Sequence, residues 1–149
     1  LREAVKSKTP IGLKAKEVMQ KGGLVSDEIV LSIVEERINK RDCETGFILD
    51  GFPRTLNQAK KLDLLLKQSQ KIKFVLSIKV DEEDIINRLI ARGREDDKPE
   101  IIKNRFKSYN NETEPLIPYY KNKGILKEID GMNTVENVFK DIKKVVGVF

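Results

Sequence analysis

Residues 46–58 read GFILDGFPRTLNQ, and the order of apolar and turn-forming residues in this segment indicates the fold class. The run at 47–49 is wholly apolar, which is typical of a strand covered on both faces. The residues at 50–53 (DGFP) end this strand, and a helix is predicted from Leu56 onward. A carboxylate such as Asp50, placed directly after a buried strand, lies at the edge of a sheet where α/β proteins bind their ligands.

Strands and helices alternate along the rest of the chain. Further strands are predicted at 74–80 and 125–129, and helices are predicted to begin at Pro10, after Ser26, at Leu56, after Asp81, at Glu100 and after Thr134. The predicted strands are mostly apolar rather than strictly alternating. This pattern favours an α/β fold with a parallel sheet flanked by helices.

The composition excludes several kinds of chemistry. The chain has 149 residues and no histidine, so Ser-His-Asp and Cys-His nucleophiles and His-containing zinc sites are excluded. Its single cysteine, Cys43, predicts no internal disulfide and a reducing, cytoplasmic setting. No apolar run approaches the about 18 residues of a membrane span, so no membrane association is expected.

The arginines and the lysines are distributed differently along the chain. The formal net charge is +5, and four of the arginines (Arg88, Arg92, Arg94 and Arg105) fall in one short segment while the lysines are scattered among acids. Guanidinium groups bind carboxylates and phosphates through two parallel hydrogen bonds. A basic nucleic-acid-binding module is the alternative, but the chain has 6% aromatic residues and no Trp for base stacking. We therefore predict a small phosphorylated ligand and no nucleic acid.

Two groups of residues are candidates for this chemistry, and each has a plain structural alternative. In the first, Asp50 is suited to Mg²⁺, Gly51 permits close approach of a ligand, and Arg54 follows a turn stiffened by proline. The alternative is a strand end followed by a surface arginine. The second group is the arginine cluster, which binds a polyphosphate or, alternatively, forms surface ion pairs with the acids at 95–97.

Two long motifs resemble the adenylate kinase family. Residues 46–59 resemble its nucleoside monophosphate-binding signature, and residues 88–97 (RLIARGREDD), with Arg105 and the TEPL segment at 113–116, resemble its lid region. Shorter matches lie at 1–5, 21–27 and 129–132. The similarity follows the same order along the whole chain.

The resemblance implies reversible phosphoryl transfer from Mg-ATP to AMP, giving two ADP, and it assigns roles by position. The residues expected to bind AMP are Arg2, Gly23, Leu24, Val25, Gly51, Phe52, Pro53, Arg54, Gln58, Arg94 and Arg105. The residues expected to bind ATP are Arg88, Arg92, Gly131 and Asn133. Catalysis is expected from Arg54, Arg92, Arg94 and Arg105, lid closure from Asp96 and Asp97, and magnesium binding, through water, from Asp50.

The resemblance also implies a P-loop NTPase-like fold with a helical monophosphate-binding region at 1–26, core at 27–91 and 99–149, and a short lid at 92–98. No Gly-x-x-x-x-Gly-Lys-Ser/Thr loop occurs in the sequence, so this loop and the first two strands are expected upstream of Leu1. Activity of this chain alone is therefore not expected. The protein is predicted to be a monomer without zinc. Two alternative functions remain: a UMP/CMP kinase, or an inactive fragment of such a kinase.

Overall fold

The computed structural model describes residues 5–6, 10–21, 23–66 and 71–147. Strand β1 (Val75–Lys79) follows three helices: α1 (Pro10–Gln20), α2 (Asp27–Ile38) and α3 (Leu56–Leu65). Strand β2 (Leu126–Asp130) follows three more: α4 (Glu82–Arg92), α5 (Pro99–Ser108) and α6 (Leu116–Asn122). The last helix is α7 (Val135–Val146). None of the described helices is long and apolar enough to cross a membrane.

The chain divides into two compact units. Unit 1 takes in Leu1–Lys71 and Glu95–Leu116, and unit 2 takes in Ile72–Arg94 and Ile117–Phe149. Unit 1 is helical in its described part, whereas unit 2 contains the sheet and the helices beside it. The two units are described separately below.

The sheet of unit 2 pairs β1 and β2 in parallel. Its register runs from Val75 opposite Leu126 to Lys79 opposite Asp130. The parallel arrangement and two of the three predicted strands are therefore confirmed. An ion pair of 2.6 Å joins Lys79 Nζ to Glu128 Oε1 across the pair, and this contact lowers the pKa of the Glu128 carboxyl.

The strand predicted at 47–49 is wrong. These residues form no strand, and Ile48 in the middle of the run is 94% exposed. A parallel strand exists only where neighbouring strands accept its hydrogen bonds. None of the strands in the described part of the chain lies in the same unit as 47–49.

The core of unit 1 lies where α2 packs against α3. Leu31 and Ile38 of α2, with Ala59 and Leu62 of α3, are buried, and Leu62 is among the most deeply buried side chains. Cys43 is also buried, and its Sγ accepts a hydrogen bond of 2.9 Å from Arg37 Nη1. This packing fixes the starts of α2 and α3 relative to one another.

The helix starts predicted after Ser26, Asp81 and Thr134 are confirmed, and a further N-cap lies at Thr55. Thr55 and Thr134 occupy the N-cap positions of α3 and α7, and each hydroxyl accepts a backbone N–H. Ser26 and Asp81 occupy the N-cap positions of α2 and α4 without a side-chain capping bond. The acidic residues that follow them still lie at the positive ends of the helix dipoles.

A wider helical turn follows α5 in unit 1. Residues Tyr109–Thr113 form a π-turn, closed by a hydrogen bond of 2.9 Å from the Glu114 N–H to the Tyr109 carbonyl. A π-turn contains one residue more than an α-helical turn, and this changes the direction of the side chains that follow it. This turn presents the Thr113 hydroxyl to another segment of the same unit.

Candidate active site

Arg54 lies in a turn that holds its guanidinium in one orientation. Its Nε donates a hydrogen bond of 2.8 Å to the carbonyl of Gly51, which has a left-handed φ of 67°. A Cβ at position 51 would lie 3.0 Å from Arg54 Nη2, the flexible end of that side chain, so the backbone conformation rather than the space favours glycine here. The peptide bond between Phe52 and Pro53 is cis. The result is an exposed, oriented cation of the kind that binds phosphate.

Two further contacts fix the backbone of Arg54. Its N–H donates to Gln58 Oε1 at 2.7 Å, and its carbonyl accepts from Thr113 Oγ1 at 2.9 Å. The Thr55 hydroxyl in turn accepts from the Gln58 N–H at 3.1 Å. Thr55 and Gln58 thus resemble a capping box. The difference is that the Gln58 side chain bonds the N–H of Arg54, whereas in the usual motif it bonds the N–H of the N-cap residue itself.

Asp27, at the start of α2, receives hydrogen bonds from the start of α3. Gln58 Nε2 donates to Asp27 Oδ1 at 2.7 Å, and Asn57 Nδ2 donates to Asp27 Oδ2 at 2.5 Å. The Thr55 hydroxyl lies 3.3 and 3.4 Å from the two oxygens. The sequence placed Asp27 in the short match at 21–27 but predicted no contact with α3, because a local pattern does not show a partner about thirty residues away.

A cavity of about 500 Å³ lies beside this cluster, within unit 1. Its wall is formed by Leu24, Val25, Ser26, Asp27, Thr55, Leu56, Asn57, Ser108 and Glu112. The volume falls within the range of small-molecule sites. Leu24 and Val25, two of the residues predicted to bind AMP, therefore line a cavity together.

Gln58 is placed differently from these two residues. Its side chain is 2% exposed, it is not part of the cavity wall, and both of its amide atoms are hydrogen bonded. The role predicted from the resemblance, reading the adenine, stays a prediction. In this structure the amide connects Asp27 to the Arg54 turn.

Arg105 pairs with the two aspartates predicted to close the lid. Its Nη1 lies 3.4 Å from Asp97 Oδ1 and 3.7 Å from Asp96 Oδ2, all within unit 1. The Asp97 side chain is 1% exposed, whereas the Arg105 side chain is 32% exposed. Asp97 thus provides a buried counter-ion that holds the guanidinium while part of it remains accessible. The predicted roles of the three residues stay predictions.

The Asp97→Ala variant is expected to lower the free energy of unfolding by about 2 kcal/mol, because Arg105 would lose its buried partner. Asp96→Ala is the matched control, since its longer and less buried contact predicts a loss less than half as large. Urea denaturation of the two variants measures the difference. An equal or larger loss in Asp96→Ala would contradict the assignment of Asp97 as the main counter-ion.

In unit 2, two residues predicted to bind ATP are neighbours. Arg88 Nη2 donates to the Gly131 carbonyl at 3.3 Å, and Arg88 Nε pairs with Asp84 at 2.5 Å. Asn133 Nδ2 donates to Asp130 Oδ2 at 3.2 Å, so the turn after β2 holds this amide. Arg88 is therefore anchored at one end while more than half of its side chain is exposed.

The remaining predicted residues are placed as follows. Arg92 is the last residue of α4, and Arg94 follows Gly93, whose φ of 65° ends that helix. Gly23 directly precedes the cavity residues Leu24 and Val25. Arg2 lies outside the described residues.

Asp50 is exposed and precedes the turn that contains Arg54; because residues 47–49 form no strand, the predicted position of Asp50 at the end of a strand is wrong. Among the residues that the structure describes, no group of three or more carboxylate or thiol side chains forms a metal cluster. Mg²⁺ is nevertheless commonly bound through one or two carboxylates, water and substrate phosphates. A single exposed carboxylate fits that donor set.

The comparisons with known proteins identify the family of the chain. The adenylate kinase family model matches residues 1–125. An adenylate kinase of Prochlorococcus marinus is 50% identical over 97% of this chain and 79% of its own length. Adenylate kinases of Xanthobacter autotrophicus and Archaeoglobus fulgidus are 48% and 42% identical, over 93% and 98% of this chain and 76% and 82% of their own lengths.

The resemblance found in the motifs is thus confirmed over nearly the whole chain. The two parallel strands and their flanking helices are consistent with the α/β fold of this family. Both motif regions lie within the matched residues 1–125. The chain belongs to the adenylate kinase family of nucleotide phosphotransferases.

Proposed function

We propose that the protein catalyses reversible transfer of a phosphoryl group from ATP to AMP, forming two ADP, and so balances adenine nucleotides. The observation that carries the proposal is the oriented guanidinium of Arg54. The next residue in the chain, Thr55, lines the same cavity as Leu24–Asp27. An oriented guanidinium favours a phosphate, and the cavity lined by the next residue, Thr55, has room for a nucleoside. AMP has both parts.

Most residues of the proposed AMP side of the reaction belong to unit 1, and Arg94 belongs to unit 2. We propose that Arg54 and Arg105 bind the AMP phosphate, together with Arg2, and that Gly23, Leu24 and Val25 contact the nucleoside. Gly51, Phe52 and Pro53 shape the turn that presents Arg54. Gln58 and Arg94 complete the proposed AMP-binding set.

The ATP side is assigned to Arg88, Arg92, Gly131 and Asn133. The anchoring of Arg88 to Asp84 and the Gly131 carbonyl supports this part, because an anchored guanidinium can stack on a base. We propose that Arg92, Arg94 and Arg105 neutralise the charge on the transferring group. In the reaction an AMP phosphate oxygen forms a bond to the γ-phosphorus of ATP, and ADP leaves with the electrons of the broken bond.

Asp50 is proposed to hold Mg²⁺ through its water shell. When bound with ATP, the ion supplies charge neutralisation at the phosphates. The chain itself supplies positioning and positive charge, so its lack of histidine is compatible with this chemistry. No zinc is proposed.

We further propose the division inferred from the resemblance, with a monophosphate-binding region at 1–26, core at 27–91 and 99–149, and a lid at 92–98. The connection from α4 to α5 supports a short lid, since it consists of residues 93–98. A cytoplasmic monomer that binds small nucleotides, and neither nucleic acid nor membranes, completes the proposal.

Acceptor specificity tests this function. We expect the complete protein to phosphorylate AMP with a kcat/KM at least about tenfold above that for UMP or CMP, because a fixed cavity discriminates bases of different size and edge chemistry. A coupled assay with ATP as donor measures all three acceptors. UMP or CMP as the best acceptor would instead favour a UMP/CMP kinase.

A further inference from the structure

Three side chains of one short segment converge on a single carboxylate. Thr55, Asn57 and Gln58 lie at the start of α3, and all three hydrogen bond to Asp27, which begins α2. The hydroxyl and the two amides serve as the donors. The carboxylate therefore ties the cavity wall around Leu24 and Val25 to the segment that follows Arg54.

The acceptor-only chemistry of Asp27 sets the orientation of the Gln58 amide. A carboxylate accepts hydrogen bonds and donates none, so the amide nitrogen of Gln58 faces Asp27. The amide oxygen then faces the opposite direction, where it accepts the Arg54 N–H at 2.7 Å. With the side chain 2% exposed, water does not readily replace either bond.

We propose that Asp27 is a positioning residue for Arg54, acting through the Gln58 amide. The inference rests on the proposed function, because it assigns to Arg54 the binding of the AMP phosphate. Asp27 itself does not bind phosphate in this scheme. It keeps the turn in place, while Thr113 holds the Arg54 carbonyl and Gly51 holds the Arg54 Nε.

The sign of the charge makes the inference testable. A carboxylate near a site for an anion weakens the binding of that anion by Coulomb repulsion. If Asp27 acted only through its charge, its neutralisation in Asp27→Asn would lower the KM for AMP. If Asp27 positions Arg54, the same substitution raises that KM, because one neutral acceptor cannot satisfy all three donors.

The test uses steady-state kinetics of the complete protein with Asp27→Asn and Asp27→Ala. We expect the KM for AMP to rise about tenfold in Asp27→Ala and about threefold in Asp27→Asn, with the KM for ATP within about twofold of the unaltered value. Glu28→Gln is the matched control. It removes the same charge from the exposed next position of the same helix turn, and its kinetics should be unchanged.

Selective loss of AMP affinity distinguishes positioning from general structural support. A KM for AMP that stays constant or falls would overturn the inference, and so would equal rises in the KM values of both nucleotides. A loss of active enzyme with unchanged KM values would overturn it as well. Thermal melting checks folding; if Asp27→Ala does not fold, Asp27→Asn decides by the same criteria.

The failure of the proposed function has a different signature. If the unaltered protein phosphorylates no nucleoside monophosphate, the proposed function is wrong and the inference falls with it. If the unaltered protein phosphorylates AMP and both Asp27 variants match it, only the inference is wrong.

Discussion

Arg54→Lys is expected to lower kcat/KM for AMP by on the order of a hundredfold in the complete protein, the loss typical of removing one oriented donor from a charged reaction centre. Lysine retains the charge but lacks the planar guanidinium that donates through Nε to Gly51 and that we propose to bind the AMP phosphate. The charge would remain while its orientation is lost.

The measurement compares kcat and KM for both nucleotides in the unaltered and altered proteins. Arg41→Lys is the matched control, because Arg41 is an exposed arginine of the same unit, in the short turn Arg41–Cys43. Its activity should not change. Nearly normal turnover of Arg54→Lys would mean that a point charge suffices, and the geometric basis of the proposed function would then be wrong.

Gly131→Ala is expected to lower the free energy of unfolding by about 3 kcal/mol, at the upper end of the cost of overpacking. A Cβ at this buried position would lie 2.5 Å from Val80 Cγ2, 2.6 Å from Ile78 Cγ2 and 2.8 Å from the Lys79 carbonyl oxygen. Rotation of a side chain can relieve the first two contacts but not the third. The Gly131 N–H also donates to that carbonyl at 2.8 Å, so the two backbones are held together.

Gly124→Ala separates this clash from backbone strain. Gly124 has a φ of 71°, and a Cβ there would meet no heavy atom within 4 Å. Its substitution therefore carries only the cost of a left-handed residue, about 1 kcal/mol. Urea denaturation of both variants should show the larger loss at position 131; equal losses would mean that the strand ends separate readily.

The spacing of apolar residues and the residues typical of helix starts predicted the helices, because both signals lie within or next to the helix itself. The segments at 74–80 and 125–129 contain the paired strands, because each has the other as a hydrogen-bonding neighbour within the chain. The run at 47–49 is wholly apolar, more so than either of these segments, and forms no strand. Strand formation depends on a partner elsewhere in the sequence, and a local pattern carries no information about that partner.

The candidate site shows the same limit. The motifs identified Arg54 and the glycine at 51, whose contacts lie within one turn. They included Asp27 and Thr113, in the matches at 21–27 and 113–116, but did not predict that these residues reach the Arg54 segment from distant positions. The burial of Gln58 was also missed, because a glutamine followed by a polar helix surface resembles a ligand-binding residue and a structural one equally well.

The exposed outer edges of the two-stranded sheet have a consequence for handling the polypeptide. β1 and β2 pair only with each other among the described residues, so each has backbone N–H and C=O groups on its far side without a strand partner. Open edges of this kind recruit further strands, either from the same polypeptide or from a neighbouring molecule. Self-association through these edges is therefore expected to increase with protein concentration, so preparations should be kept dilute.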